Sequence, residues 1–266
     1  MFWEKETDDL KDRWNRSSDD YQYVFEEGIN EYSKKLISFL IDNKMLSPGC
    51  RIIDLGCGVG KYGTYFAKIG CDVTLLDVSD KMLKFASDNM SPYKTPWRIY
   101  EADFCDVTGK ESVFDGGFDL STSMMSSAVC DIDTIKKMSD ITHGWAFVTR
   151  FFDWKQPFRD LISRETGLVS NAFDDLKGDC EAFFNNVKEA GFKPDIRYVE
   201  YNWADDRTPQ QMTDYFLRNC CIAETDDMDA ARSKVLEVVM QHCNEEGLVT
   251  DDIQSEVAWI YWKTEK

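Results

Sequence analysis

Histidine is almost absent from this chain, since only His143 and His242 occur among its 266 residues. His143 precedes a predicted strand at the sheet end away from the expected ligand edge, and His242 falls in a predicted helix, so both are expected to be structural. The nine cysteines form no Cys-x-x-Cys pair, which argues against a structural zinc or a disulfide framework. A cluster of thiols and an imidazole could hold a soft metal, but neighbours on a helix point in different directions, so packing is preferred and no metal is predicted. That cluster comprises Cys220, Cys221, His242 and Cys243.

Long apolar runs are also missing. No stretch approaches the roughly 18 to 20 apolar residues needed to cross a bilayer, and the N-terminus has no basic-then-apolar layout of a signal peptide. We therefore expect no membrane association and a cytoplasmic location. With 43% hydrophobic residues, the length suits one α/β domain with an elaboration better than two complete domains.

Positive charge is scarce: 31 Lys and Arg stand against 49 Asp and Glu, a formal net charge of −18. Such a surface repels phosphate polymers, so no nucleic-acid partner is expected. A small neutral or cationic substrate fits this charge, although the acid could equally serve only to keep the protein dissolved.

Three alternating glycines follow an apolar run in residues 52–60, Ile-Ile-Asp-Leu-Gly-Cys-Gly-Val-Gly. A second apolar run ends in Asp77, about 20 residues past the glycines. Strand, glycine turn, helix, strand and acid form the first half of a nucleotide-cofactor site, in which glycines let backbone approach the ligand and the acid accepts ribose hydroxyls. A nucleoside ligand is implied.

The glycine spacing resembles the first motif of the class I S-adenosylmethionine-dependent methyltransferases. Asp54 to Gly60 matches the acid, apolar residue and G-x-G-x-G of that motif, whereas a dinucleotide site would use G-x-G-x-x-G and position 61 is Lys. Three later segments resemble the family's third to fifth strands in the expected order: 97–104, 117–124 and 145–152. The resemblance covers most of residues 14–203.

The resemblance implies S-adenosylmethionine as cofactor, with S-adenosylhomocysteine as product. It assigns the methionine end to Asp54 and the glycines, ribose to Asp77, adenine to Asp103 and Phe104, and the floor of the transfer site to Ser121 and Met124. The implied cofactor-binding residues are Asp54, Gly56, Cys57, Gly58, Gly60, Asp77, Val78, Met82, Asp103, Phe104, Ser121, Met124, Trp14 and Tyr21.

The expected fold is a three-layer, Rossmann-like α/β fold with a seven-stranded, mostly parallel sheet whose last strand is antiparallel. Residues 1–46 are expected to form an N-terminal helical lid and 47–203 the cofactor-binding core. Residues 204–254, in which helical apolar spacing recurs, form a helical insert or cap before a final strand in 255–266. A purely structural or dimerising insert is the competing interpretation.

The residues that would bind the molecule receiving the methyl group are less clearly indicated by the sequence. Arg150 and Asp153 leave the predicted fifth strand at the ligand edge, where Asp153 could act as base or hold a cation and Arg150 could bind an acidic substrate; either could instead form a surface ion pair. Trp14, Tyr21, Trp154 and Trp203 suit a planar or cationic acceptor by stacking, with core packing as the alternative.

The leading interpretation is in-line methyl transfer to O, N or S of a small molecule by a monomer or homodimer. Alternatives are a non-catalytic module that binds the cofactor or a protein, a tRNA or protein methyltransferase, and a nicotinamide-dependent oxidoreductase.

Overall fold

The computed structural model describes residues 10–26, 30–168, 175–219 and 227–265. Helices and strands are numbered in chain order within these ranges. The helices are α1 Leu10–Glu26, α2 Glu31–Asp42, α3 Lys61–Ile69, α4 Asp80–Met90, α5 Ile132–Asp140, α6 Pro157–Thr166, α7 Leu176–Glu189, α8 Pro209–Asn219 and α9 Met228–Met240. The strands are β1 Arg51–Leu55, β2 Asp72–Asp77, β3 Trp97–Glu101, β4 Phe118–Met124, β5 Thr142–Lys155, β6 Asp195–Glu200, β7 Trp203–Arg207 and β8 Val249–Lys263.

Seven strands form the central sheet in the order β3-β2-β1-β4-β5-β8-β6. Strands β1 to β5 pair in parallel, and β8 runs antiparallel to both β5 and β6. Because the chain reverses its strand order at β1 and β4, the carboxyl ends of these two strands define the edge at which α/β sheets bind ligands. The predicted α/β architecture is confirmed.

Helices cover both faces of the sheet. On one face, α2, α3 and α4 contribute Leu36, Phe66 and Leu83 to a buried cluster that includes Trp259 of β8. On the other face, α5 and α7 pack against the sheet in a second buried cluster. This three-layer arrangement matches the sequence expectation, because the parallel strands are apolar on both sides.

The local signals of the cofactor half predict its elements closely. The apolar spacing predicts a helix over 61–69 and a short strand over 97–101, and α3 and β3 have these bounds. Of the two predicted caps of α4, Ser79 and Asp80, it is Ser79 that accepts a hydrogen bond from the Met82 N–H, at 3.0 Å. Asp131 caps α5 by accepting from the Thr134 N–H. The helix predicted from 29 to 46 is shorter, because Asn30 caps α2 and Lys44 takes a positive φ of 59° just after it ends.

The region from 204 to 254 differs from the prediction of a helical insert. Its two predicted helices are present as α8 and α9, but the region also contains most of β7 and the first six residues of β8. These two strands pair antiparallel from Trp203 with Ile253 to Arg207 with Val249. The acidic sequence of β7 has weak strand propensity, so its strand forms through long-range pairing that no local pattern reveals.

Helix α6 was not predicted and packs with α8 and α9 in a separate buried cluster around Ile162, Phe216 and Val235. The predicted helix from 172 to 190 is present as α7, with its first residues 172–174 outside the described ones. No helix in the described ranges is both long and apolar enough to cross a membrane.

Candidate functional site

The three glycines of the β1–α3 loop each have a different neighbour. A Cβ on Gly56 would lie 1.8 Å from the Ser126 Oγ, and one on Gly60 would lie 3.1 Å from the Ala86 Cβ, so these two glycines permit close packing. A Cβ on Gly58 would meet nothing closer than 4.0 Å. All three have positive φ. Gly58 is therefore the glycine whose outer side is open to a ligand.

Asp77, at the carboxyl end of β2, is fixed by backbone groups. Its Oδ2 accepts a hydrogen bond from the Gly58 N–H at 2.8 Å, and its Oδ1 accepts from the Ser79 N–H at 2.9 Å. Burial raises the pKa of this carboxyl, and the backbone N–H donors oppose that shift. One side chain thus joins the glycine loop to the start of α4, and each oxygen keeps a lone pair for a hydroxyl donor.

Asp54, near the carboxyl end of β1, is 1% exposed. Its Oδ1 accepts from the Thr122 hydroxyl at 2.8 Å, while its buried Oδ2 has no hydrogen-bond partner among the described residues. Burial raises the pKa of this acid to about 7. An unpartnered buried carboxylate oxygen is costly unless a ligand satisfies it, so Asp54 fits a cationic or hydrogen-donating group.

These observations fit a nucleoside cofactor that carries positive charge. Gly58 offers open backbone, Asp77 has lone pairs for hydroxyl donors, and Asp54 has an oxygen that needs a donor. We call the region around Asp54, Gly58 and Asp77 the cofactor corner. Three further predicted residues surround it. Cys57 and Met82 are buried, Val78 is half-buried, and the Met82 Sδ is the nearest atom to the open side of Gly58.

Asp103 and Phe104 follow β3 but differ in exposure. Asp103 is half-buried, and its Oδ1 accepts from the Cys105 N–H at 2.8 Å. The Phe104 side chain is 1% exposed, lies in the core beneath α5, and has the Lys137 ammonium 5.1 Å from its ring centroid. Its ring therefore presents no surface for adenine, contrary to the expectation, and Asp103 remains as the polar group at this position.

Ser121 also differs from the expectation. It is 0% exposed, and its Oγ shares a hydrogen bond of 2.5 Å with the hydroxyl of Thr142, at the amino end of β5. A hydroxyl committed inside the sheet does not form the floor of a ligand site at the opposite edge. Met124 ends β4 at the expected edge, where the next residue, Met125, takes a positive φ of 52°.

Helix α1 lies across the cofactor corner. The Asn15 Oδ1 accepts from the Ser79 hydroxyl at 2.5 Å, and the Asn15 amide donates to Asp80 at 3.1 Å. Trp14 and Tyr21 contact each other edge to face, with ring centroids 6.1 Å apart. The charge of Asp77 raises the pKa of the Tyr21 hydroxyl, so this ring lies within electrostatic reach of Asp77. The structure thus brings both predicted aromatic residues to this corner.

Four rings form a continuous aromatic row at the ligand edge. Tyr32 stacks on Tyr201 at 4.3 Å, Tyr201 contacts Trp203 at 4.5 Å, and Trp203 meets Trp154 at 5.1 Å. Tyr62 of α3 links this row to the cofactor corner, since both Asp54 and Tyr201 act electrostatically on its hydroxyl. The two tryptophans were predicted from the sequence as acceptor-stacking candidates. Tyr32 and Tyr62 were predicted from helical spacing to face the core, and Tyr32 is buried while Tyr62 packs against the same core cluster.

Arg150 and Asp153 have different surroundings on β5. Arg150 is 6% exposed, donates to the Val129 carbonyl at 2.5 Å and lies 4.2 Å from the Phe183 ring centroid. Burial lowers the pKa of its guanidinium. Arg150 is thus a core residue and not a ligand for an acidic substrate. Asp153 is half-buried opposite Glu256 of β8 and remains near the ligand edge.

A charge network, consisting of Asp20, Asp205, Arg207 and Arg218, joins α1 to the cap. The Arg207 Nε donates to Asp205 at 2.7 Å, and its Nη1 lies 3.5 Å from Asp20. Arg218 Nη2 donates to Asp20 at 2.9 Å. All but Arg218 are buried. No sequence motif indicated this network, because its members are up to 198 residues apart.

Both histidines contact backbone carbonyls, as expected for structural residues: His143 Nε2 lies 3.1 Å from Gly116 O and His242 Nδ1 lies 2.9 Å from Val238 O. Cys220 and Cys221 lie outside the described residues. Within those residues, no group of three or more metal-ligating side chains comes together.

Comparison with known proteins identifies the domain. A family model described as a methyltransferase domain matches residues 52–142, from β1 to the start of β5. Phosphoethanolamine N-methyltransferase 3 of Arabidopsis thaliana is 28% identical over 235 residues, which cover 79% of this chain but 43% of the plant protein. The chain thus spans less than half the length of that relative. The ribosomal protein L11 methyltransferase of Acetivibrio thermocellus is 36% identical over 68 residues, which are 25% of this chain and 21% of that protein.

A similar fold occurs in a solved N-methyltransferase of Haemonchus contortus, crystallised with phosphomonomethylethanolamine and S-adenosylhomocysteine. Its TM-score is 0.55 at 16% identity, over 97% of this chain and 60% of that one. Together with the glycine loop and the strand order, these matches define the class of the domain: the chain contains a methyltransferase domain with the class I, S-adenosylmethionine-dependent architecture. Its cofactor is S-adenosylmethionine.

Proposed function

We propose that this protein methylates a small cationic amine with S-adenosylmethionine as donor. The observation that carries the choice of acceptor is the aromatic row of Tyr32, Tyr201, Trp203 and Trp154 beside the cofactor corner. Ring faces attract alkylammonium groups, and the net charge of −18 favours cationic ligands. The N-methyltransferase names of the plant and nematode relatives support nitrogen over oxygen or sulfur as the acceptor atom.

The cofactor-binding roles follow from the polar groups of the corner. Gly58 leaves room for the cofactor backbone, Asp77 holds the ribose hydroxyls, and Asp103 accepts from the adenine amino group. Asp54 binds the ammonium of the methionine part, which supplies the donor missing at its Oδ2. When bound, S-adenosylmethionine supplies an electrophilic methyl group on a sulfonium, and displacement from it needs an aligned acceptor rather than a covalent intermediate.

The acceptor roles fall to the aromatic row and to Asp153. The half-buried rings of Tyr201, Trp203 and Trp154 hold the amine and exclude water from it, with the buried Tyr32 packed behind Tyr201. Asp153 accepts the proton that the amine must lose before its lone pair can attack. Because a net charge of −18 disfavours anionic ligands, we propose an amine without a strongly anionic substituent. A phosphorylated amine, as named for the relatives, is the outcome that would correct this part.

The proposal also divides the chain by role. Residues 1–46 act as a lid, supported by the contact of Asn15 with Ser79; residues 47–203 and 255–266 form the core. Residues 204–254 act as a cap, supported by the charge network that ties them to α1. We further propose a cytoplasmic monomer or homodimer without nucleic-acid partners. Free thiols at all seven cysteines of the described residues support a reducing compartment.

Methyl transfer from labelled S-adenosylmethionine to a panel of amines, phosphorylated amines, alcohols and thiols tests the function. Transfer to unphosphorylated amines is the expected result. Exclusive transfer to another class would overturn the acceptor assignment, and failure to bind S-adenosylhomocysteine in calorimetry would overturn the cofactor roles.

Substitution of one ring tests the aromatic row. Trp203→Leu should raise the KM for the amine about tenfold, the size of one desolvated cation–π contact, with little change in kcat or in the Kd of S-adenosylhomocysteine. Tyr198→Leu is the matched control, because Tyr198 is an exposed aromatic on the neighbouring strand β6. An equal effect of both substitutions would remove the row from acceptor binding.

A further inference from the structure

Two acidic side chains face each other on the buried side of strands β7 and β8. Asp205 lies directly opposite Asp251 in the strand register, and the two residues are 6% and 0% exposed. Opposite residues of an antiparallel pair place their Cβ atoms about 5 Å apart on one face, where two like charges destabilise the sheet. We call Asp205 and Asp251 the carboxylate pair.

Each member of the carboxylate pair has one oxygen that is bonded and one that is not. The Asp205 Oδ2 accepts from the Arg207 Nε at 2.7 Å, and the Asp251 Oδ2 accepts from the Gln156 Nε2 at 2.5 Å. The Oδ1 atom of each acid is buried and has no hydrogen-bond partner among the described residues. A buried carboxylate oxygen without a donor is costly. Two such oxygens on opposite residues therefore mark a position that lacks a donor.

Arg207 is held in place and does not fill this position. Its Nε is bonded to Asp205, and its Nη1 lies 3.5 Å from Asp20. Its guanidinium also lies between two aromatic rings, 4.9 Å from the centroid of Tyr23 and 4.5 Å from that of Tyr215. Contacts on both faces and along the edge of the guanidinium fix its direction, so it remains on the Oδ2 side of Asp205.

The charges around the carboxylate pair do not balance. Within the described part of the chain, the carboxylates of Asp20, Asp205 and Asp251 have two guanidinium groups beside them, those of Arg207 and Arg218. One positive charge is therefore missing. Burial raises the pKa of Asp251 to about 6, so above that pH its carboxyl is mainly ionised and a shared proton does not supply the charge.

The carboxylate pair adjoins the aromatic row. Trp203 precedes Asp205 by two residues on β7, so both side chains point to the same face, about 7 Å apart along the strand. The Trp154 Nε1 donates to the Gln156 Oε1 at 3.2 Å, and Gln156 in turn donates to Asp251. Both tryptophans are half-buried. The unpartnered oxygens thus lie beyond the end of the row at which its rings meet solvent.

We propose that the carboxylate pair binds the terminal ammonium of an unbranched diamine, whose other amino group lies along the aromatic row and receives the methyl group. This inference rests on the proposed methylation of an amine and narrows its substrate class. An alkylammonium supplies the missing positive charge and has N–H donors for both unpartnered oxygens. The slender apolar chain between the two nitrogens passes the rings of the row, and the buried acids exclude an anionic group at that end.

Steady-state kinetics of the full chain with labelled S-adenosylmethionine test this substrate preference. Putrescine is the diamine probe, because its chain is about as long as the step from Trp203 to Asp205, and butylamine has the same carbon chain with one nitrogen. The kcat/KM for putrescine should exceed that for butylamine at least tenfold. Asp251→Asn keeps the shape of the side chain but removes its charge, so it should bring the ratio close to one by raising the KM for putrescine.

Asp252→Asn is the matched control, because Asp252 follows Asp251 on β8 but is exposed and points to the opposite face. This variant should retain the preference for putrescine. A carboxylate pair that only shares a proton or a water molecule gives no such preference. Equal kcat/KM values of the parent protein for the two amines, or equal effects of the two substitutions, would therefore overturn the proposal.

Calorimetry separates a failure of this inference from a failure of the proposed function. If neither amine is methylated, the proposed amine methylation fails, and putrescine is then titrated into the protein saturated with S-adenosylhomocysteine. A Kd for putrescine at least tenfold weaker in Asp251→Asn than in the parent and in Asp252→Asn would support the carboxylate pair as an ammonium site. Equal Kd values, or no binding to the parent, would overturn it.

Discussion

Buried acids at the two ends of helix α1 are stabilised in opposite ways. At the cofactor corner, the groups acting on Asp54 and Asp77 are a hydroxyl, backbone N–H groups and, for Asp54, the charge of Asp77 itself. At the cap, Asp20 and Asp205 are paired with Arg207. Asp20 and Asp205 are therefore paired by the protein, whereas Asp54 and Asp77 have no basic partner among the groups acting on them; in the cap only Asp251 resembles the cofactor corner, because burial raises its pKa. A cationic ligand would supply the charge that Asp54 and Asp77 lack.

The largest effect is expected at the backbone of the cofactor corner. Gly56→Ala should lower the free energy of unfolding by about 3 kcal/mol, because the new Cβ would lie 1.8 Å from the Ser126 Oγ at a positive φ. Gly58→Ala is the matched control at a similar φ in open space, and about 1 kcal/mol is expected there. Urea denaturation measures both. Equal losses would mean that φ alone, and not packing against Ser126, fixes the loop.

The charge network should show the next largest effect. Asp20→Asn leaves Arg207 and Arg218 with less negative charge, and because Arg207 keeps Asp205 we expect a loss of about 2 kcal/mol. Hydrogen exchange should show the second half of α1 opening while the Asn15 end stays protected. The control Glu31→Gln removes an exposed, solvent-screened ion pair with Lys34 and should leave the free energy of unfolding unchanged within experimental error. A loss for Asp20→Asn no larger than that of this control would refute a buried network.

Asp54 should show that the cofactor corner sacrifices stability for binding. Its folded pKa of about 7 lies above the usual value for Asp, so the folded state binds the proton more tightly and the free energy of unfolding falls as pH rises from about 4 to 7. Asp54→Asn should therefore raise the stability of the ligand-free protein by about 1 to 2 kcal/mol at pH 8, with little change near pH 4. The same substitution should raise the Kd of S-adenosylhomocysteine at least tenfold.

The measurements for Asp54→Asn are denaturation across this pH range and calorimetry. A variant that is less stable than the parent at pH 8 would mean that Asp54 is compensated in the ligand-free protein. The buried acids of the cofactor corner and of the cap would then both be compensated by the protein.

Asp251 offers the smallest and most selective test. It is buried in β8 opposite Asp205, bonded to Gln156, and burial raises its pKa to about 6. As for Asp54, the folded state binds the proton of Asp251 more tightly than the unfolded state does. The free energy of unfolding should therefore fall as pH rises from about 4 to 6. Asp251→Asn should add about 1 kcal/mol above pH 6 and nothing near pH 4, without altering cofactor affinity. A changed Kd for S-adenosylhomocysteine would show that the cap and the cofactor corner are coupled through this acid.

More of the cofactor corner than of the cap could be predicted from the sequence, and the reason is physical. At the cofactor corner, glycine conformation, helix caps and apolar runs are local, so α3 and β3 were predicted where the structure has them, and Ser79 was one of the two predicted caps of α4. Burial was harder to foresee: Ser121 and Arg150 stand at suitable positions along their strands, yet their side chains are committed inside the core.

In the cap, structure depends on partners far along the chain. The pairing of β7 with β8 joins residues about 50 positions apart, and Asp20 reaches Arg218 across 198. A polar strand and isolated charges carry no local sign of such partners. The apolar spacing of α8 and α9 is local, and those helices were correctly predicted.

Helix α1 is held by ion pairs of different exposure at its two ends. Its first half is joined to α4 by hydrogen bonds from Asn15 and by the exposed ion pairs of Lys11 with Asp80 and Glu101. Its second half is held by the more buried ion pairs of Asp20 with Arg207 and Arg218, which salt screens less. Moderate salt should therefore loosen the first turns of α1 before its Asp20 end, and turnover limited by product release past those turns should quicken.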